Sequence, residues 1–123
     1  MYAKTLLLAL FAAATASAAV IDTRQAQKAD FGLCNPSISF EEGRPGRKAD
    51  EGTFLPVDPL VAKGQQDALN PNIITNRVCD QLTNVCNAND AAKAACLSAK
   101  AVVAGLGTKD ASTADAFNKA LGF

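Results

Sequence analysis

From Asn72 to Ala104 the chain has neither glycine nor proline, and Ile74, Val78, Leu82 and Val85 recur within it at spacings of four, four and three. That period puts all four on one face of a helix. Asn87 and Asn89 interrupt the pattern, and Asn89 suits the N-cap of a second helix through "DAAKAACLSAKAVVAGLG", which Gly105 and Gly107 are placed to stop. Two arrangements follow. Either the chain reverses near Ala88 into an antiparallel helical hairpin, the preferred reading, or one helix continues through Asn87. Asp58-Pro59 and Asn70-Pro71 are cap-then-proline helix starts, the first opening a short helix over "PLVAKGQQDAL" that Gly64 weakens. The last helix is expected from Ser112, with Asp115 near its positive end and Ala114, Phe117 and Leu121 packed inward before Gly122.

The pattern changes upstream. "SISF" alternates from Ser37 to Phe40 and "TFLPV" runs from Thr53 to Val57, so each predicts a short strand, joined by the charged, turn-rich "EEGRPGRKADEG". Such a hairpin is marginal alone and needs helices to cover it. The expected fold is therefore mainly α: a small, disulfide-stapled helical domain with a short N-terminal β-hairpin.

The first residues set the expected compartment. Lys4 supplies a positive start, Leu6 to Ala14 form an apolar run too short for a bilayer, and Ala16 and Ala18 are the small residues before a cleavage point. Residues 1–18 read as a secretory signal peptide, 19–33 as a flexible N-terminal tail, and 34–123 as one disulfide-stabilised domain. Export, and no membrane association after signal cleavage, are the expectations.

Removing residues 1–18 leaves 105 residues with 11 basic and 12 acidic side chains. Near-neutrality argues against binding to nucleic acid or anionic lipid. Apolar bulk is thin: 24 Leu, Ile, Val and Phe beside 18 alanines, so covalent help is expected. Cys34, Cys79, Cys86 and Cys96 supply it, since an even number of cysteines in a short exported chain reads as two disulfides. Separations of 45, 7 and 10 residues contain no C-x-x-C, and the chain has no histidine, which disfavours both zinc and a thioredoxin-like pair. Cys79 and Cys86, two turns apart, cannot bond within one helix. A reversal near Ala88 sets Cys79 opposite Leu97, which favours Cys79 with Cys96 and leaves Cys34 with Cys86. An unbroken helix would instead leave Cys34 one reachable partner and open the way to intermolecular pairing.

Catalytic chemistry finds little footing, and neither an enzyme, a cofactor nor a metal is expected. Lack of histidine excludes Ser-His and Cys-His nucleophiles. Glu41 with Glu42 and Asp50 with Glu51 are sequence neighbours, which on a strand point to opposite faces. "AGLGTKD" reads as a helix stop rather than a phosphate cradle. Proline in Asn35-Pro36-Ser37 blocks N-glycosylation there, and the accessible basic pair Arg47-Lys48 reads as part of a harmless exposed loop in preference to a protease cutting point.

The run "FGLCNPSISFEEGRPGRKADEGTFLPVDPLVAKGQQDALNPNIITNRVCDQLTNVC", with the alanine-rich tail, resembles a group of small secreted, effector-like proteins of ascomycete fungi. The resemblance implies secretion and a shared scaffold, and brings no catalytic residue, cofactor or ligand. The expected function is extracellular binding, with a cell-wall or matrix structural component as the alternative and an extracellular protein or wall component as partner. The candidate surfaces are the loop Glu41 to Glu51 and the polar stretch Lys63 to Asn76, because loops on a rigid scaffold carry function. Arg44, Arg47 and Lys48 are the candidate binding residues, and their joint replacement by alanine is expected to leave folding intact and weaken partner binding. Sugar stacking is disfavoured, since after cleavage only Phe remains among the aromatics.

Overall fold

The computed structural model describes residues 28–123. The expected signal peptide and residues 19–27 of the expected tail lie outside them. Two antiparallel strands, β1 (Ile38–Glu42) and β2 (Gly52–Pro56), precede four helices: α1 (Pro59–Ala62), α2 (Pro71–Asn84), α3 (Asp90–Leu106) and α4 (Ala111–Ala120). The fold is mainly α with one β-hairpin, as the pattern predicts, although the hairpin occupies 38–56 rather than the N-terminus, and the ladder is in register from Ile38 opposite Pro56 to Glu42 opposite Gly52.

The helix starts follow their caps. Asp58 accepts from Leu60 N–H at 2.8 Å and Asn70 from Asn72 N–H at 2.9 Å, with proline next in each case. α1 stops after one turn. Gly64, at φ +81°, turns the chain out, and an irregular segment leads to Ala68, which exchanges both backbone hydrogen bonds with Phe54. The longer helix expected over 59–69 loses to this pairing, which gives β2 a neighbour on its open edge. Arg77 donates to the carbonyls of Val61 and Lys63, satisfying groups that so short a helix leaves orphaned.

α2 ends at Asn84, so the helical hairpin is the arrangement adopted. Asn87 takes φ +57°, a left-handed conformation asparagine tolerates better than most residues. Asn89 then caps α3 by accepting from Ala92 N–H at 2.9 Å. The early end has one consequence against expectation. Ile74, Val78 and Leu82 are fully buried, whereas Val85 is past the last turn at φ −132° and 37% exposed. α3 passes through Gly105 and ends at Leu106, with Gly107 at φ +66° as its left-handed cap.

α4 begins earlier than Ser112. Asp110 is its N-cap, accepting from Ser112 N–H at 2.9 Å, and Thr113 reaches back to the Asp110 N–H to close a capping box. A carboxylate at that position meets the helix dipole with a full charge, which a serine hydroxyl lacks. Ala114, Phe117 and Leu121 face inward as expected.

Both disulfides have the pairing that a reversed chain favours: Cys34 with Cys86, and Cys79 with Cys96. Cys86 and Cys96 are fully buried and join Phe54, Val61, Ile74, Val78, Leu82, Ala99 and Phe117 in one core. This core lies where α2 packs on β2 and α3, and where α4 closes over α3 and β1.

Residues 28–33, assigned by sequence to the tail, are tied to this unit. Asn89 receives Asp30 N–H on its side-chain oxygen and donates its amide to the Lys28 carbonyl, while Leu33 N–H bonds Cys86 O. Gly32, at φ +64°, lies so close to the Cys86 carbonyl that a Cβ there would collide with it. The anchored unit therefore starts before Cys34.

At the other end, Asn118 of α4 acts as a surrogate strand: its oxygen accepts from Ile38 N–H at 2.8 Å and its amide donates to Ile38 O at 2.9 Å. Asn118→Ala is expected to cost about 2 kcal/mol, because both backbone groups of a nearly buried residue lose their partner. Urea unfolding followed by circular dichroism measures it. A loss under about 0.5 kcal/mol would mean that water replaces the side chain without penalty.

Candidate interaction surface

The loop between the strands is built by turns rather than left loose. Gly43 N–H bonds Glu51 O, Arg47 N–H bonds Arg44 O, and Glu51 N–H bonds Lys48 O. The three basic residues singled out by sequence diverge in their roles. Arg44 folds back along β1, donating to Ser39 Oγ at 2.9 Å and standing 3.8 Å from Glu41, with its side chain only 12% exposed. Its Nε is buried without a partner. Arg47 reaches across to Asp67, with Nε 3.0 Å from the carboxylate and a second donor 3.0 Å from the Asp67 carbonyl. Lys48 alone of the three is exposed and outside the ion pairs among the described residues.

The structure thus brings together the two stretches that sequence proposed separately. Glu41, Glu42, Arg44 and Arg47 from the loop face Gln65 and Asp67 from the polar stretch across an open depression of about 720 Å³. The expectation that all three basic residues can be removed without consequence for folding does not suit this geometry. Arg44 and Arg47 fasten the loop, and their exchange for alanine strips partners from Ser39 and Asp67. Lys48 is the side chain available to a ligand.

Asp67 was not singled out by sequence, since a lone aspartate in "QQDAL" has no distinguishing spacing. Its carboxyl is held below the ordinary Asp value of 3.8 by the hydroxyl of Thr53 foremost and by Arg47, while desolvation pushes the other way. The Thr53 hydroxyl is buried without a partner in full hydrogen-bond geometry, so it acts on Asp67 as a nearby dipole rather than through a closed bond. A carboxyl whose folded pKa is depressed stabilises the fold above its unfolded value and loses that contribution as pH falls through the folded value. Between roughly pH 5 and 2 the native protein should therefore lose more stability than the Asp67→Asn variant, as read from thermal midpoints across that range. Parallel curves would show that the Arg47 contact survives protonation.

A second concave surface lies along α2 and α3. Two adjoining depressions of about 550 and 460 Å³ share Asp80 and Lys100, so they form one groove between the helices. Ile73 and Asn76 line it from α2, and Lys93 and Leu97 from α3. Cys79, half-buried and bonded to Cys96, forms part of its floor. Lys93, Leu97 and Lys100 share a face at spacings of four and three, a signal that was present in the sequence but lost inside an alanine-rich run.

Among the described residues no group of three or more His, Cys, Asp or Glu side chains is placed to hold a metal ion, and no helix is long and apolar enough to cross a membrane. The class defined by fold and surface is a small, disulfide-crosslinked, mainly α protein with one β-hairpin and with open depressions at the hairpin loop and between α2 and α3. No family model, curated protein or solved structure matches the chain.

Proposed function

We infer that this is an exported binding protein whose hairpin-loop face meets an extracellular partner. One observation carries the reading: an exposed loop is fixed to the fold at two points, by the Arg47–Asp67 contact and by Arg44 bonded to Ser39 of β1. Such a loop keeps its shape on binding and loses little conformational entropy. Two disulfides suit an oxidising space outside the cell. The resemblance to small secreted ascomycete proteins supports the same setting and an effector-like role.

Mass spectrometry of the natural product tests export. The expected species starts at Ala19 and has no free thiol; an intact Met1 with four thiols would refute the reading. Fractionation supplies the functional arm. Protein is expected in the culture fluid, with capture of a defined extracellular partner reduced at least tenfold by Glu42→Lys with Lys48→Glu, at an unchanged thermal midpoint. Retention wholly in the cell wall would favour a structural component instead.

A further inference from the structure

We propose that the α2–α3 groove is a docking site for an acidic amphipathic helix of another protein. This goes beyond the hairpin-loop reading and uses a different face.

The argument starts with charge. The chain as a whole balances 12 basic against 12 acidic residues. The groove does not. Lys93 and Lys100 line one wall, and among the described residues neither has a carboxylate within ion-pair distance. Lys100 is held in place by Asn76, its Nζ donating to Oδ1 at 2.7 Å. Asp80 is the single carboxylate on the opposite wall. A docking segment that completes this field therefore carries negative charge.

Spacing gives the segment its shape. Seven residues separate Lys93 from Lys100, about 10 Å along the helix axis. Carboxylates seven residues apart on a second helix match that repeat. Leu97, 59% exposed, lies between the lysines, and Ile73, 50% exposed, marks the far end of the groove. Both are large aliphatic side chains left in water, and an apolar stripe between the carboxylates would cover them. A helix laid against two antiparallel helices is a recurrent mode of peptide recognition. The Cys79–Cys96 bond holds the two walls at a fixed separation, so the groove is ready before the ligand arrives.

A second copy of this chain fits poorly as occupant. α2, α3 and α4 contain one carboxylate each (Asp80, Asp90 and Asp115), so none supplies two on one face. Nucleic acid fits poorly too, since it would place phosphates against Asp80 and leave Ile73 and Leu97 uncovered.

The probe is a synthetic capped helical peptide with Leu at positions i, i+4 and i+7 and Glu flanking them. It is titrated into the oxidised protein, both disulfides formed, and followed by two-dimensional amide NMR. Saturable shifts are expected at Asn76, Asp80, Lys93, Leu97 and Lys100. Binding should weaken at least tenfold in Lys93→Glu/Lys100→Glu and several-fold in Leu97→Ser, and it should fall as salt rises. The variants' unperturbed amides outside the groove verify that they fold. Absence of shifts at these positions would overturn the proposal, as would equal binding by the same peptide with Lys for Glu. So would equal shifts from a single-stranded oligonucleotide, or concentration-dependent shifts of the protein alone, which would assign the groove to self-association. The export test above is independent of every one of these outcomes.

Discussion

Replacing Cys34 and Cys86 together by alanine is expected to lower the unfolding free energy by about 4 kcal/mol, and the same exchange at Cys79 and Cys96 by about 3 kcal/mol. The difference comes from the loops closed. The first bond spans 52 residues and the second 17, and a longer loop removes more freedom from the unfolded chain. A domain of this size has roughly 5–15 kcal/mol in total, so either loss takes a large share. Urea unfolding of the two double variants, monitored by circular dichroism, measures both. If the 17-residue bond proves the more costly, the length of the closed loop does not govern the stabilisation. The two losses should also be felt at different surfaces: Cys34–Cys86 anchors the chain entering the β-hairpin, and Cys79–Cys96 sets the width of the helical groove.

Phe54→Ala should cost a similar amount, about 4 kcal/mol. Phe54 is fully buried, faces Phe40 across the strand register with ring centroids 5.0 Å apart, and bonds Ala68 through both backbone groups. Truncation opens a cavity at the junction of hairpin, helices and the 65–68 segment, and ends an aromatic cross-strand pair. Phe54→Leu fills most of the volume and should cost about 1–2 kcal/mol. Thermal unfolding compares the two, and amide exchange at Ala68 should accelerate in the alanine variant. Equal costs would show that the hairpin is an appendage rather than part of the core. The outcome also bears on the hairpin-loop face, because Phe54 ties β2 to Ala68, the neighbour of the Asp67 that Arg47 grips.

Much of the helical half was legible because its signals are local. Asp58-Pro59, Asn70-Pro71 and Asn89 act within one turn of themselves, and the 3.6-residue recurrence of Ile74, Val78 and Leu82 needs only one neighbour to bury it. Cysteine pairing followed once the reversal at Asn87 was granted, since two turns of helix forbid a bond between Cys79 and Cys86. The misread ends have local causes of another kind. Val85 satisfied the period but lies beyond the last helical turn, and Asp110 displaced Ser112 because two good caps competed two residues apart.

The surfaces were less legible. Arg44, Arg47 and Lys48 look alike in sequence, each a cation in a turn-rich loop. Only the fold distinguishes an arginine lying along β1, an arginine bonded to a residue 20 positions away, and a lysine in water. Lys93, Leu97 and Lys100 had the right spacing, yet the spacing gains meaning only when α2 supplies the opposite wall.

The sequence by itself determined the kinds of elements, most of their caps and, once the chain reverses at Asn87, which thiols pair, because each of these is decided by interactions a few residues long. Tertiary structure alone decided that the chain leaves the helix so that Ala68 pairs with Phe54 of β2, that Asn118 bridges α4 to Ile38, and that Lys93 and Lys100, without an ion pair among the described residues, line a groove across from Ile73. Those outcomes depend on groups that lie several turns or more apart in sequence, and no local pattern of residues encodes the distance between them.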